Sequence, residues 1–248
     1  MTNLDTFSTE LNVVVIGSSG GIGKGFIEAF ENDSRVSSIY AFSRNKKNST
    51  EKKVVHSFLD LEDEASIQEA AQLASSKKSI DLIVVATGVL HRGDGIKPEK
   101  SIKQIDPKVM IDVIKVNTIG PILIAKHFLP KLSKNRKTVF AALSARVGSI
   151  SDNRMGGWSS YRSSKAALNM LLRTASIELK FSSPKTIIVS LHPGTVDTRL
   201  SEPFKKNVTK KALFKADYSA VKLINVINNL DINDTGKFFA WDGNSIEY

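Results

Sequence analysis

Tyr161 and Lys165 lie four residues apart in the stretch WSSYRSSKAALNMLL, which runs from Trp158 to Leu172. In a helix, residues at this spacing share one face. A free tyrosine has a pKa near ~10, and a neighbouring ammonium group favours its ionised form, which lowers that pKa. The pair could therefore exchange a proton near neutral pH. Because the same spacing occurs by chance on many helix surfaces, an ordinary amphipathic helix remains the alternative.

Two polar residues elsewhere in the chain could belong to the same site. Ser144 ends the apolar run TVFAALS, and ligands of doubly wound sheets bind at the carboxyl ends of strands. Its hydroxyl could donate a hydrogen bond to a carbonyl oxygen. Asn117 lies in VIKVNTIGPIL, inside a long helical pattern where asparagine is unfavourable. The alternatives are a turn residue at Ser144 and an exposed helix position at Asn117.

The glycine-rich stretch GSSGGIGKG follows the first apolar strand and opens a helical pattern. Glycines let the chain turn sharply and let a pyrophosphate approach the helix N-terminus. A plain tight turn is the alternative. The position between strand and helix favours a nucleotide site.

The second predicted strand ends in YAFSRNKK, which bears on the choice of nucleotide. An acidic residue here would bind the ribose hydroxyl of NAD, whereas Ser43 and Arg44 favour the additional phosphate of NADP(H). Lys46 and Lys47 are interpreted as a solvated charged loop. Asp60, after the third strand, could contact a nucleotide or cap the next helix.

Apolar runs alternate with helical patterns along the whole chain. The runs show little alternation between apolar and polar residues, which is typical of parallel strands buried on both faces. We therefore predict one α/β domain over residues 1–248, with a doubly wound parallel sheet of about seven strands and helices on both faces. Strands are predicted at 11–17, 37–42, 54–59, 81–88, 138–144, 186–193 and 237–241, and helices at 21–32, 62–76, 107–132, 157–181 and 217–230.

Together, the glycine turn and the order of Asn117, Ser144, Tyr161 and Lys165 resemble the classical short-chain dehydrogenase/reductase family and its Rossmann-like fold. The resemblance extends from the first strand to KFFAWDG. Within the family, WSSYRSSKAALNML and GKFFAWDG resemble the group of C-factor-like proteins and carbonyl reductases. Two positions depart from the family pattern: Ile16 stands where threonine is usual, and Ala86-Thr87-Gly88 replaces Asn-Ala-Gly.

The resemblance implies roles for particular residues. Tyr161 would be the acid in reduction and the base in oxidation, and Ser144 would orient the carbonyl or alcohol. Lys165 would bind ribose and tune Tyr161, while Asn117 would hold a water molecule. The implied cofactor-binding residues are Gly17, Ser19, Gly21, Ile22, Gly23, Ser43, Arg44, Asp60, Leu61, Ala86, Thr87, Gly88, Tyr161, Lys165, Pro193, Gly194, Val196 and Thr198.

Candidates for the substrate pocket are Arg146, Met155 and Trp158. Arg146 could meet an anionic substrate or point to solvent. His91 is interpreted as a surface loop residue. By analogy with the family, residues 199–216 form a substrate lid.

Composition bounds the remaining possibilities. The chain of 248 residues has a formal net charge of +10 and no cysteine. Its basic residues fall in separate segments without interleaved aromatic residues, so a nucleic-acid partner is suggested by charge alone. We see neither a secretory signal nor a run of about 18 apolar residues, and expect a cytoplasmic protein without a membrane, nucleic-acid or metal partner.

The leading functional prediction is NADPH-dependent reduction of an aldehyde or ketone to an alcohol, or the reverse reaction. The alternative is a non-catalytic NADP(H)-sensing or signalling protein on the same fold. By family habit, we also expect a homo-oligomer, a dimer or tetramer formed through the helices at 107–132 and 157–181.

Overall fold

The computed structural model describes residues 4–45, 53–93, 95–207 and 213–248. A seven-stranded parallel sheet has the order β3-β2-β1-β4-β5-β6-β9. A short pair, β7 and β8, lies outside it. The strands are β1 (Leu11–Ile16), β2 (Val36–Ser43), β3 (Val54–Phe58), β4 (Leu82–Val85), β5 (Thr138–Leu143), β6 (Thr186–His192), β7 (Thr195–Val196), β8 (Leu213–Phe214) and β9 (Phe238–Ala240).

Helices cover both faces of the sheet and make two apolar cores. One core contains Phe30 and Leu223, and the other contains Phe128 and Leu172. The fold is therefore a doubly wound α/β domain, which confirms the prediction from sequence. The helices are α1 (Gly21–Glu31), α2 (Glu64–Ala74), α3 (Pro107–Ile114), α4 (Gly120–Phe128), α5 (Ser159–Ser182) and α6 (Ala216–Asn229).

The sheet order places a binding crevice beside β1. The chain runs outward from β1 through β2 to β3, then returns to β4 on the other side of β1. Loops after β1 and β4 leave the sheet in opposite directions at such a point, so a crevice opens at the carboxyl ends of the strands.

The long helix predicted over 107–132 is interrupted in the structure. A π-helical turn, Lys115–Ile119, separates α3 from α4, and the Gly120 N–H bonds to the Lys115 carbonyl. Pro121 gives a physical reason, because it has no N–H to offer the carbonyl of Asn117 and its ring would crowd that carbonyl in a regular α-helix. The wide turn carries Asn117, one of the predicted site residues.

Other predicted boundaries differ from the observed ones by a few residues. The helix predicted from residue 157 begins at Ser159, and the strand predicted over 81–88 ends at Val85. Lys46 and Lys47 lie outside the described residues. Within the described ranges, no helix combines the length and apolar character needed to cross a membrane.

Candidate active site

Tyr161 and Lys165 meet inside the protein rather than on an exposed helix face. Both lie on α5, and their exposed fractions are 8% and 2%. Lys165 Nζ donates a hydrogen bond of 2.8 Å to the carbonyl oxygen of Leu143, at the end of β5. The same Nζ lies 5.9 Å from the centre of the Tyr161 ring. This hydrogen bond links helix α5 to the carboxyl end of β5 in the central sheet.

Asn117 is buried near the lysine. Its side-chain amide binds the backbone of Val89 twice, with Nδ2 donating to the carbonyl and Oδ1 accepting from the N–H, both at 2.8 Å. Nδ2 also lies 3.1 Å from Ser164 Oγ on α5. A methyl group at Gly88 would lie 3.5 Å from Asn117 Oδ1 and 3.6 Å from Lys165 Nζ. The π-helical turn therefore places a fully buried asparagine close to the lysine.

Burial shifts the proton affinities of both members of the pair. It lowers the pKa of Lys165 to about 8 and raises the pKa of Tyr161, because a charged form of either group would lose its hydration. For the protein by itself, the net shift of the Tyr161 pKa is upward and not downward as expected, although a neighbouring ammonium group still favours the phenolate. Desolvation is the larger effect, so the phenol is held in its protonated form.

Ser144 presents a buried hydroxyl to the same region. Its exposed fraction is 3%, and its Oγ has no hydrogen-bond partner among the described residues. Its backbone N–H bonds to the Leu191 carbonyl at 2.8 Å, which fixes it to β6. An unpartnered buried hydroxyl costs free energy, so a ligand that accepts or donates here would satisfy it.

His192 is a neighbour of this site that the sequence analysis missed. It ends β6, next to the strand end that carries Ser144. Burial, followed by the charge of Arg146, lowers the pKa of His192 to about 4, so the ring is neutral at physiological pH. The clue in the sequence was its place before Pro193, in the segment HPGTVDTRL.

The glycine turn after β1 is closely packed and open on one side. Gly17 has a φ of +86°, and a Cβ on Gly23 would lie 2.2 Å from the Gly17 carbonyl oxygen, so neither position tolerates a side chain in this geometry. Helix α1 begins at Gly21 without a side-chain cap. Its first N–H groups are thus available to an anion such as a phosphate.

The ends of β2 and β3 line the same cavity. Ser43 Oγ donates to the Asn45 carbonyl at 2.9 Å, and Arg44 lies beside it. Asp60 accepts from the Glu62 N–H at 3.1 Å, whereas helix α2 is capped by Asp63. The alternative interpretation of Asp60 as the helix cap is therefore wrong.

One cavity of about 1010 Å³ connects these groups. It runs from the end of β2, past the glycine turn, to Ser144, Tyr161 and Lys165. Gly23 and Asn117 are not part of the lining: Gly23 packs against the Gly17 carbonyl in the turn, and Asn117 binds the backbone of Val89, which does line the cavity. The predicted residues that line it are Gly17, Ser19, Gly21, Ile22, Ser43, Arg44, Asp60, Leu61, Ala86, Thr87, Gly88, Ser144, Arg146, Trp158, Tyr161, Lys165, Pro193, Gly194, Val196 and Thr198.

Comparison with known proteins decides the family. The model of the family described as short chain dehydrogenase matches residues 11–209. The chain belongs to the short-chain dehydrogenase family.

Two curated relatives and one solved structure illustrate its neighbours. An uncharacterized oxidoreductase of Schizosaccharomyces pombe is 28% identical over 77% of this chain and 76% of its own. The C-signal protein of Myxococcus xanthus is 31% identical over 58% of this chain and 81% of its own. The NADPH-bound carbonyl reductase from chicken fatty liver superposes with a TM-score of 0.84 at 26% identity, covering 98% of this chain and 96% of that one. The chain is thus similar to oxidoreductases of this family.

In this short-chain dehydrogenase, aromatic side chains surround the end of the cavity next to Tyr161. The Trp158 ring lies 6.4 Å from the Tyr161 ring and 4.9 Å from the Phe204 ring, between ring centres. Phe204 also faces His91 at 6.1 Å. His91 is a partly exposed loop residue that also lines the cavity, and its Nε2 lies 2.9 Å from the Arg199 carbonyl oxygen.

Of the two other residues predicted to line the substrate pocket, one lines the cavity and one does not. Arg146 lines the cavity, with half of its side chain exposed and an Nη1–Oδ2 distance of 3.5 Å to Asp152. Met155 is 91% exposed and does not line the cavity, so its assignment to the pocket was wrong. Two glycines follow it with positive φ angles, and this loop turns Met155 outward.

The segment 199–216, predicted from the family resemblance to be a substrate lid, contains several regular elements. Residues 202–207 form a short helix, and residues 208–212 lie outside the described ranges. Phe214 is anchored, since β8 pairs with β7 and the Asp197 N–H bonds to the Phe214 carbonyl at 2.7 Å. Ala216 already begins α6. The C-terminal end of this segment is therefore fixed by the pairing of β8 with β7 and by the start of α6.

Glu99 is a second residue that the sequence analysis missed. It is 4% exposed, and its carboxylate accepts from the Ser160 N–H at 3.2 Å and from the Ser160 hydroxyl. Its carbonyl accepts from the Trp158 N–H at 2.6 Å. Trp158 precedes α5 in a left-handed conformation and supplies no side-chain cap. Glu99 fills that role from a distant loop, which no local pattern could reveal.

Proposed function

We propose that the protein is an NADPH-dependent carbonyl reductase, which converts an aldehyde or ketone to an alcohol or catalyses the reverse. The observation that carries this proposal is a buried cluster: Tyr161, Lys165 and Asn117 lie close together, in the same region as the unpartnered hydroxyl of Ser144. A protein that sensed the nucleotide without turnover would have no use for a desolvated acid at this place.

The proton comes from Tyr161 in this proposal. Burial keeps its phenol protonated, so it is ready to donate to an oxygen on which negative charge develops. Ser144 donates a second hydrogen bond to that oxygen. The ammonium group of Lys165, near the Tyr161 ring, stabilises the phenolate left after transfer.

Asn117 binds the backbone of Val89 and lies close to Lys165, whose ammonium group donates to the Leu143 carbonyl. Ser164 extends the same polar group along α5. We propose that a water molecule bound near Asn117 returns the proton to Lys165 and so to Tyr161. In this arrangement the lysine is both an electrostatic partner and part of the proton path.

The cavity fits a dinucleotide, and its end near β2 fits the phosphate that distinguishes NADP(H). The uncapped start of α1 suits a pyrophosphate. Ser43 and Arg44 offer a hydroxyl and a guanidinium where an acid would be needed to prefer NAD. The carbonyl reductase from chicken fatty liver, which has a similar fold, binds NADPH. When bound, NADPH would supply the hydride; the protein supplies position and the proton.

Turnover of a panel of aldehydes, ketones and quinones, followed by NADPH oxidation, tests the proposal. We expect turnover by the wild-type protein and a loss of about a thousandfold or more in Tyr161→Phe, since general acid catalysis contributes on the order of a hundred- to ten-thousandfold. NADPH affinity should be nearly unchanged, because the substitution removes only the phenol hydroxyl and keeps the ring. Undiminished turnover by the variant would contradict the role of Tyr161. Tight NADPH binding without turnover of any carbonyl would favour the sensing alternative.

Cofactor choice is tested by Arg44→Ala. A hydrogen bond to a charged group is worth about 1.5–3 kcal/mol, which corresponds to a loss of roughly ten- to a hundredfold in NADPH affinity. NADH affinity should change little. Arg154, an exposed arginine that does not line the cavity, provides the control variant Arg154→Ala. Equal affinity of the wild-type protein for NADPH and NADH would exclude this assignment.

We also propose that residues 199–207 close over the bound substrate.

We propose as well that the protein forms a homo-oligomer. An apolar stripe on α5, consisting of Met170, Ile177 and Phe181, supports this proposal. These side chains are more than half exposed, and their spacing places them on one helix face. A second copy of the chain is the proposed partner of this stripe.

A further inference from the structure

The substrate end of the cavity combines aromatic walls with positive charge. This region lies beyond Tyr161 and Ser144, away from the nucleotide end. Trp158 and Phe204 form its aromatic part, with ring centres 4.9 Å apart. Three arginines line it: Arg92, Arg146 and Arg199. Among the described lining residues, the carboxylates are Asp60 and Glu62, and both lie at the end of β3 on the nucleotide side.

Arg146 is the arginine best placed to reach a substrate whose carbonyl binds Ser144. The intervening Ala145 has an extended backbone, with φ −148° and ψ 143°. Side chains two residues apart in an extended segment leave the chain on the same side. Two residues of extended chain span at most about 7 Å. A group one benzene ring away from the carbonyl is therefore within reach of the guanidinium.

The positive charge of Arg146 acts on groups inside the cavity, and its ion pair with Asp152 offsets that charge only weakly. It contributes to the lowered pKa of His192, which lines the same cavity. Its partner Asp152 lies outside the lining, at an Nη1–Oδ2 distance of 3.5 Å, and both side chains are about half exposed. Exposed pairs of this kind contribute about 1 kcal/mol or less. A substrate anion could thus take the place of Asp152 at little cost.

We infer that the substrate is a planar aromatic aldehyde or ketone that carries a carboxylate, with its ring packed against the contacting pair Trp158 and Phe204 and its carboxylate at Arg146. This inference rests on the proposed function. In the reduction, the carbonyl carbon gains a hydride from NADPH and the oxygen gains a proton from Tyr161. The C=O double bond becomes a C–O single bond, NADPH becomes NADP⁺, and the carboxylate takes no part in the chemistry.

A matched pair of substrates tests the charge requirement. We would measure kcat and KM for para-carboxybenzaldehyde and for its methyl ester, which has the same ring and aldehyde but no charge. The wild-type protein should prefer the acid by about tenfold or more in kcat/KM, chiefly through a lower KM, since a charge-assisted bond to arginine favours binding of both ground and transition states. The preference should shrink at high salt.

Arg146→Gln should remove most of that preference, because it should raise the KM of the acid much more than the KM of the ester. Arg154→Gln, a substitution of an exposed arginine outside the lining, should leave the preference intact. Phe204→Ala should raise the KM of both aromatic compounds, because the ring loses a stacking partner.

Equal kcat/KM for the acid and the ester, or a preference that survives in Arg146→Gln, would overturn the inferred substrate class and leave the proposed function standing. Failure of the wild-type protein to oxidise NADPH with either compound and with the whole carbonyl panel would overturn the proposed function, and this inference with it.

Discussion

At the level of single residues, Lys165 is the group whose charge should govern the pH dependence of the reaction. Burial lowers its pKa to about 8, so its ammonium form is dominant below that pH and is lost above it. The pKa of Tyr161 is raised, so the phenol stays protonated through the same range. Loss of the positive charge would remove the stabilisation of the phenolate and interrupt the proposed proton path.

We therefore expect kcat/KM for carbonyl reduction to be level up to about pH 8 and then to fall by up to about tenfold per pH unit. The measurement is a profile from about pH 6 to about pH 10 at fixed ionic strength. Lys165→Arg is the matched control, because a guanidinium stays charged over this range and should abolish the fall even if its activity is lower. An equally steep fall in that variant would assign the titration to another group.

Residue by residue, the sequence predicted which groups the structure brings together, but it did not predict their environment. Ser144, Tyr161 and Lys165 do line one cavity, and Asn117 binds the backbone of Val89, which also lines it. Their roles stay predictions. The direction of the Tyr161 pKa shift was wrong because charge at helix spacing is visible in a sequence, whereas desolvation depends on what packs around the pair.

At the level of elements, the start of α5 depends on a residue distant in sequence. Trp158 has a φ of 54° and no capping side chain, and Glu99 supplies the missing acceptor one residue before Tyr161. A helix N-cap is worth about 0.5–2 kcal/mol. Because the first turn carries Tyr161, loss of this cap should misplace the phenol as well as weaken the helix.

We predict that Glu99→Ala lowers kcat by about tenfold or more, with NADPH affinity unchanged, since a small misplacement of a catalytic group is costly. Glu99→Gln should recover most of the activity, because its amide oxygen can still accept from the Ser160 N–H. The exposed Glu178 on the same helix gives the control Glu178→Ala. If Glu99→Ala lowered only the melting temperature and left kcat unchanged, Glu99 would be a stabilising residue without a positioning role.

The interrupted helix shows why elements were predicted better than their boundaries. Apolar periodicity identified a helical region over 107–132, and helix α4 does follow α3. The periodicity does not distinguish an α turn from a π turn, which differ by one residue. Pro121 was a visible signal, since it cannot bond to the carbonyl four residues earlier. That extra residue brings Asn117 to the backbone of Val89.

At the level of the whole molecule, a doubly wound parallel sheet could be predicted, because parallel strands with right-handed crossovers allow few arrangements. The alternation of buried strands and helices was sufficient for the fold class. The shape of the substrate end was not predictable, since it depends on loops that meet from distant parts of the chain. Phe204 and Trp158 are an example, because their rings are in contact although residues 158 and 204 are 46 positions apart in the sequence.

The surface of α5 leads to a prediction about assembly. Met170, Ile177 and Phe181 are exposed by 64%, 61% and 90%. Burying one large apolar side chain contributes about 1.5–3 kcal/mol, so covering the stripe with the same stripe of a second copy would favour a dimer. We expect sedimentation velocity to show a dimer or tetramer at micromolar concentration, and the double substitution Met170→Lys and Ile177→Lys to give a monomer.

Leu73→Lys is the control for this experiment, because Leu73 is 39% exposed on α2, away from the stripe. A lysine there should leave the assembly unchanged if the effect depends on α5 and not on added charge. NADPH binding by the double variant would show that it is folded. A wild-type monomer would refute self-association, and a double variant that still assembled would place the interface on another surface. Because α5 also carries Tyr161 and Lys165, a folded monomer with reduced kcat would further indicate that contact between copies steadies the catalytic helix.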